Sequence, residues 1–267
     1  MIRKTPYACG MLNDMAIVGL GQLGQHLGSG ALRAGYRVTP VLRQDDPERT
    51  LHSLPSGSPV LVAVGEADLT DALLSLPTAQ HEDVILLQNE LFPSVWEATG
   101  FPHPSVVVPW FLKKPGQPVL VGRPSALYGR FAAEMAAIHD ALGLPHERVP
   151  HETALGEALA SKFVFVLTIN ALGLVRDLTL GQWRNEDDGQ LDAVFEDALH
   201  LAEAKLGCKV REQVLREDLE EALEGLSSMR ALGRSAPLRV SSALADAATL
   251  HVPTPKLRAI ANASARQ

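Results

Sequence analysis

The residues best placed to do chemistry lie near the N-terminus, in Gly19-Leu20-Gly21-Gln22-Leu23-Gly24. A G-x-G-x-x-G turn that leaves an apolar strand and opens a helix can cradle the pyrophosphate of a dinucleotide. Each glycine has its own task. Gly19 permits the tight turn, Gly21 lets the backbone approach the phosphates, and Gly24 lets the helix pack against the strand. The helix start, with Gln22 and Leu23 in its first turn, adds unpaired N–H groups and a partial positive charge. A sharp strand-to-helix turn without a ligand is the plainer reading, so the flanks matter. Residues 15–18 are strand-like, 22–34 carry a helical pattern that stops at Gly35, and 38–42 form a second apolar strand.

The end of that second strand bears on the cofactor. An NAD site would place a carboxylate there for the ribose hydroxyls. The sequence instead reads Arg43-Gln44-Asp45-Asp46. A guanidinium at Arg43 would pair with a 2′-phosphate and favour NADP, whereas a surface arginine before an acidic turn would leave the choice open.

The elements that must position these groups follow in a regular order. Apolar runs at 59–64, 83–87, 105–108 and 119–121 alternate with helical pattern at 67–76 and 127–142. That alternation predicts a parallel sheet covered on both faces. From about residue 151 the pattern is helical only: 152–175 (with Gly156 as a break point), 191–206, 210–226, 237–250 and 255–263. The fold class is therefore α/β, a Rossmann-type parallel-sheet domain over 1–150 followed by an all-α C-terminal domain over 151–267. Residues 1–13 read as a loose leader, with Met11 and Met15 as alternative starts. The substrate is expected in the cleft between the two domains, outside the carboxyl ends of the strands.

Composition narrows the partners. The chain has 267 residues, 24 Lys and Arg against 31 Asp and Glu, and a net charge of −7. That balance argues against nucleic acid or an anionic membrane as the main partner. No uninterrupted apolar run reaches the ~18 residues of a membrane span, and cytoplasm is the expected compartment. Cys9 and Cys208 fit no metal or disulfide spacing. His146-Glu147 and His151-Glu152 flank a proline-containing turn rather than a helical zinc motif, so no metal is expected. Lys162 opens an apolar helical run, where a lysine commonly snorkels to the surface. Asn170 lies two turns further on and, if buried, must be hydrogen-bonded. Ser228 reads equally well as a helix N-cap.

From residue 15 to about 260 the sequence resembles the ketopantoate reductase family, of the 6-phosphogluconate-dehydrogenase-like group. Five stretches carry the resemblance: residues 19–24; Arg43; Val84-Ile85-Leu86-Leu87-Gln88-Asn89; Ser161-Lys162-Phe163 with Asn170; and Ser227-Ser228-Met229 with Val252-Pro253-Thr254-Pro255. The resemblance implies that Lys162 is the general acid protonating a ketone oxygen. It also implies that Asn170 and Ser228 line the substrate pocket and that Asn89 lies near the nicotinamide ribose. A homodimer through the helical domain follows from the broader group.

Four positions depart from the family pattern. Gly65-Glu66 stands where the family has a lysine after its third strand, Asn89-Glu90 replaces Asn-Gly, and Val166 replaces an asparagine. Residues 233–238 lack the family's substrate-orienting carboxylate, with Pro237 or a gap there. These readings together predict an NADP-dependent oxidoreductase reducing a small carbonyl compound other than ketopantoate. The alternatives are a non-catalytic NADP-binding redox sensor or regulator, and an imine-forming or opine-type dehydrogenase.

Overall fold

A computed structural model describes residues 13–186 and 189–264. Residues 1–12 of the leader, with Cys9 and Met11, lie outside the described residues, and its last residue, Asn13, opens the first strand. The chain runs through β1 (Asn13–Val18), β2 (Tyr36–Val41), β3 (Val60–Val62), β4 (Val84–Leu86) and β5 (Ser105–Val108). A short hairpin, β6 (Phe111–Leu112) and β7 (Leu120–Val121), precedes β8 (Ser125–Tyr128) and β9 (His146–Arg148). The main sheet has seven strands in the order β2-β1-β3-β4-β5-β8-β9. β1 to β5 are parallel neighbours, so the glycine turn leaves β1 where the strand order switches from β2 to β3.

The helices between strands are α1 (Gln22–Arg33), α2 (Pro47–Leu51), α3 (Leu69–Leu74), α4 (Pro93–Ala98) and α5 (Ala132–Leu142). α1 and α5 bury Leu27, Ala31, Met135 and Ile138 on one face of the sheet, against Ile17, Leu61 and Ile85. Val18, Val60, Val62 and Leu86 on the other face pack against Leu73, Trp96 and the first turns of the next helix. Each fully buried Leu or Ile there contributes about 1.5–3 kcal/mol relative to exposure.

That next helix, α6 (Glu152–Val175), is followed by α7 (Leu180–Arg184), α8 (Gln190–Leu206), α9 (Glu212–Gly225), α10 (Ala236–Thr249) and α11 (Pro255–Ser264). The α/β part followed by a helical part is the expected fold class. α6 starts cleanly because the His151 ring accepts the Ala154 N–H at 3.2 Å. It does not break at Gly156, which packs against Leu206. Leu155 and Leu159 lie under the sheet, while residues from Ala160 onward form the centre of the helical core. α6 is long and apolar enough to cross a bilayer, with mean hydropathy 1.9, yet 83% of that stretch is buried inside the protein. Its apolar surround is satisfied by α8, α10 and α11.

Three expectations need correction. The sheet is not wholly parallel: β8 runs antiparallel to β5, and β9 follows β8. The stretch 127–142 is not one helix, because Gly129 turns the chain between β8 and α5 at φ +91, where a Cβ would meet Ser105 Cα at 2.8 Å. The apolar run at 119–121 supplies β7 of the separate hairpin rather than a strand of the main sheet.

Candidate active site

The three motif glycines have three different surroundings. Gly19 has φ +89, and a Cβ there would lie 2.9 Å from Val64 Cγ1 and 3.0 Å from the Ala63 carbonyl oxygen. A Cβ on Gly24 would come within 2.1 Å of the Gly19 oxygen. A Cβ on Gly21 would meet nothing within 4 Å, so the backbone there faces open space. Gly21 is the N-cap of α1 and supplies no side chain, which leaves the first N–H groups of the helix, those of Gln22 and Leu23, without a capping acceptor. Tightness on two sides and room on the third suit a pyrophosphate laid against the turn.

At the end of β2, Arg43 is exposed and its Nη2 pairs with Asp68 Oδ2 at 2.8 Å. The two acids beyond it are turned away to local tasks. Asp45 accepts the Leu42 N–H at 2.7 Å, and Asp46 caps α2 by accepting the Glu48 N–H at 3.1 Å. Arg43 and its exposed partner Asp68 are thus both charged groups at this corner.

A cleft of about 600 Å³ brings Gln22, Leu23, Asn89, Lys162 and Asn170 together. Lys162 is buried on α6, its Nζ 4.5 Å from the Trp110 ring centroid and 5.7 Å from that of Phe165. Burial, seconded by the charge of Arg239 and opposed by Glu66, pushes its ammonium down to about 7. The rotation of α6 is pinned next door, where Ser161 Oγ donates to Asp218 Oδ2 at 2.7 Å and Arg123 pairs with the other carboxylate oxygen at 2.6 Å. Arg123 also lies over Trp110, at 5.2 Å from the ring. The indole that carries Lys162 thus meets a second cationic side chain.

Asn170 donates Nδ2 to the Val166 carbonyl one turn back, at 2.7 Å. Its Oδ1 faces Gly233, where any Cβ would stand 2.6 Å away. Gly173 is equally tight against the backbone of Leu232. These two glycines let the segment before α10 lie on α6 and close one side of the cleft. Ser228 is exposed in the turn after α9 and is not among the cleft-lining residues.

Asn89 is oriented from below. Its backbone N–H and Nδ2 both donate to Glu66 Oε1, at 3.2 and 3.1 Å. Gln88 fixes the preceding backbone by donating Nε2 to the carbonyls of Val62 (2.9 Å) and Val64 (3.2 Å). Glu66 also meets Arg239 of α10, Nη2 to Oε1 at 3.2 Å. Arg239 Nη1 stands 3.2 Å from Glu90 Oε1, outside hydrogen-bond alignment, and has no hydrogen-bond partner. Burial works to raise Glu66, but Arg239, the local backbone and the Asn89 donors outweigh it and leave the carboxyl below its usual range. Burial pushes Glu90 up despite Arg239. The departures at 66 and 90 therefore meet in space at Arg239 of α10.

Sequence reasoning missed Arg239 as a member of the site. It lies 173 residues from Glu66, and the available signal was a lone arginine in the first turn of a helix after Pro237. Among the described residues there is no group of three metal-ligating side chains. His146 pairs with Asp140 at 3.1 Å, and Trp96 and Trp183 are core residues.

No family model and no curated protein matches the sequence. Solved structures do match it over nearly its whole length. A PanE/ApbA family ketopantoate reductase from Ralstonia eutropha is 18% identical with a TM-score of 0.68, covering 95% of this chain and 97% of its own. A 2-dehydropantoate 2-reductase from Methylococcus capsulatus is 14% identical with a TM-score of 0.69, covering 95% and 96%. A D-mandelate dehydrogenase solved with NADH and anilino(oxo)acetate is 14% identical with a TM-score of 0.67, covering 95% and 97%. The chain has the ketopantoate reductase fold, and the expected resemblance holds at that level.

Proposed function

We propose that this chain is a divergent ketopantoate-reductase-like oxidoreductase that uses NADPH to reduce a small carbonyl compound, a ketone or 2-oxo acid other than ketopantoate. The observation that carries the reading is Lys162, buried on an aromatic wall in the same cleft that the first turn of α1 enters. A bound reduced nicotinamide supplies the hydride that reaches the carbonyl carbon. Lys162 gives its ammonium proton to the carbonyl oxygen as the C=O bond becomes C–OH, and it recovers that proton from water through the cleft. Asn170 Oδ1 and the aromatic wall orient the substrate and exclude water, and Asn89 accepts the ribose edge. Gly19, Gly21, Gln22, Leu23 and Gly24 hold the pyrophosphate, and Arg43, released from Asp68, pairs with the 2′-phosphate. The NADH-bound D-mandelate dehydrogenase and the reductases among the structural neighbours support a nicotinamide site.

Screening 2-oxo acids and ketones for NADPH oxidation tests the proposal, with Lys162→Ala as the control that should lower turnover roughly a hundredfold or more. The non-catalytic reading is favoured by one observation, that the Asn170 amide is already engaged with Val166. A sensor would bind NADPH and keep its regulatory response in the same variant. Ser228 keeps a substrate role only if the turn after α9 moves toward the cleft, and Ser228→Ala reads this as a raised KM. The chain works in the cytoplasm. A second copy would pair through the helical domain, where Leu238 and Leu250 stand exposed. A ketopantoate reductase from Staphylococcus aureus with this fold is described as dimeric.

A further inference from the structure

We propose that Arg239 is the specificity-determining residue of the cleft, the group that seats a carboxylate of the substrate while Lys162 faces the adjoining carbonyl. This rests on the oxidoreductase reading above and assigns a role that the sequence pattern did not.

The wall of the cleft is electrostatically one-sided. Lys113, Lys114, Lys162, Arg230, Arg234 and Arg239 line it, and among the described residues no aspartate or glutamate does. This occurs in a chain whose net charge is −7, so the basic lining is not a consequence of composition. Low-dielectric walls carrying one sign of charge concentrate the opposite sign and speed its entry.

The six cations differ in what they have left to give. Arg230 Nη1 is engaged by the Asp177 carbonyl at 2.6 Å and its carboxylate at 3.0 Å. Lys113 Nζ donates to the Gln117 carbonyl within its own hairpin. Lys114 and Arg234 are exposed at the mouth, where they attract without fixing a geometry. Arg239 is different: its side chain is only 14% exposed and its fork is anchored on one side, Nη2 to Glu66 at 3.2 Å. The other side, Nη1, is buried without an aligned acceptor. An unused guanidinium N–H in such a place costs free energy until an acceptor arrives. A planar carboxylate matches the fork better than a point-like anion does.

Glu90 is the residue that must yield. Its Oε1 stands 3.2 Å from Nη1 without hydrogen-bond alignment, so a carboxylate aligned with the fork displaces it. Glu66 does not yield, because Asn89 also holds it. Arg239 and Lys162 line the same cleft as Val166, and the Arg239 charge reaches the Lys162 ammonium. In the proposed pose the carboxylate sits on Arg239 and the adjoining carbonyl of a 2-oxo acid faces Lys162.

The test uses oxamate, which carries a carboxylate beside a carbonyl and cannot be reduced as a ketone. Calorimetric titration of the full chain, with and without saturating NADPH, measures its affinity in wild type, Arg239→Met, Arg239→Lys and Glu66→Gln. Arg239→Met should weaken oxamate roughly tenfold to hundredfold, the scale of one lost charge-assisted pair, and Arg239→Lys should restore part of it. Glu66→Gln should retain or strengthen binding, because it frees the guanidinium. In turnover, Arg239→Met should raise KM for a 2-oxo acid more than it lowers kcat. Its KM for the corresponding methyl ester should stay nearly constant.

Three results would overturn the assignment: wild type that does not bind oxamate, Arg239→Met that binds it equally well, or equal losses in Arg239→Met and Glu66→Gln. The last is the signature of a purely structural ion pair. If Arg239→Met does not fold, Arg239→Lys against Glu66→Gln decides the question alone. Failure of the oxidoreductase reading would appear separately, as absence of NADPH binding or oxidation, and would leave the oxamate titrations standing.

Discussion

A lysine buried on an indole, with no carboxylate bonded to its nitrogen, holds its proton weakly, and the rate of any step that spends that proton must report it. Lys162 is pushed down to about 7, chiefly by burial. As general acid it acts in the protonated form, so kcat for carbonyl reduction should be flat below pH 7. Above that value it should fall toward tenfold per pH unit. Lys162→Ala should lower kcat by roughly a hundredfold or more while NADPH affinity changes little. Stopped-flow oxidation of NADPH across pH 6–9 checks both. A profile that rises through pH 7 would make the neutral amine the active form. Of the candidate site, the glycine turn was named from its own pattern and Lys162, Asn89 and Asn170 from the resemblance, and one cleft gathers Lys162, Asn89, Asn170, Gln22 and Leu23. Arg239, Glu66 and Glu90 were not legible as a unit, because an ion pair across 173 positions leaves no local trace. Glu66 and Glu90 surfaced only as departures, and their meaning needed the third dimension.

At the scale of elements, the β1–α1 turn makes a prediction that separates folding from binding. Gly24→Ala forces a Cβ to 2.1 Å from the Gly19 oxygen. It should destabilise the protein by about 1–3 kcal/mol or more, as overpacking does, visible as a lower Tm. Gly21→Ala meets open space, so Tm should hold while NADPH affinity drops, because the new methyl occupies the phosphate seat. Equal Tm losses in both variants would contradict this division of tasks. α5 carries a second element-scale prediction. His139 is fully buried, its Nδ1 2.8 Å from the Met135 carbonyl, and burial pushes it down to about 4. Its folded pKa lies below its unfolded one, so its contribution is fully present above pH 6.5. That stability is lost as pH falls from 6.5 toward 4, roughly 3 kcal/mol in all. His26, across Phe111, is lowered by burial too and acts in the same direction. Urea midpoints at pH 7 and 4.5 should therefore differ less in His139→Leu than in wild type. The elements that escaped sequence reading share a cause. β9 is the polar tripeptide His146-Glu147-Arg148 at a sheet edge, with no apolar run to announce it. β8 borrows residues from what reads as a helix, and only the left-handed Gly129 divides them.

For the whole molecule, the order of sheet first and helices after was plain from where the β-branched runs stop. What the pattern could not foretell is how tightly α6 ties the two parts together. Its N-terminal turns belong to the sheet core and its remainder to the helical core. The cleft lies alongside, with Arg239 reaching from α10 to the ends of β3 and β4. A nucleotide bound along the carboxyl ends of the strands would run from Arg43, past the glycine turn, to the cleft that holds Lys162. The direct test is titration of the purified chain with NADPH and with NADH, followed by nicotinamide fluorescence, in wild type and Arg43→Ala. The account predicts micromolar NADPH binding, tighter than NADH, with Arg43→Ala removing most of the difference. Absence of binding by either nucleotide would contradict it, and the glycine turn would then be a fold feature without its ligand.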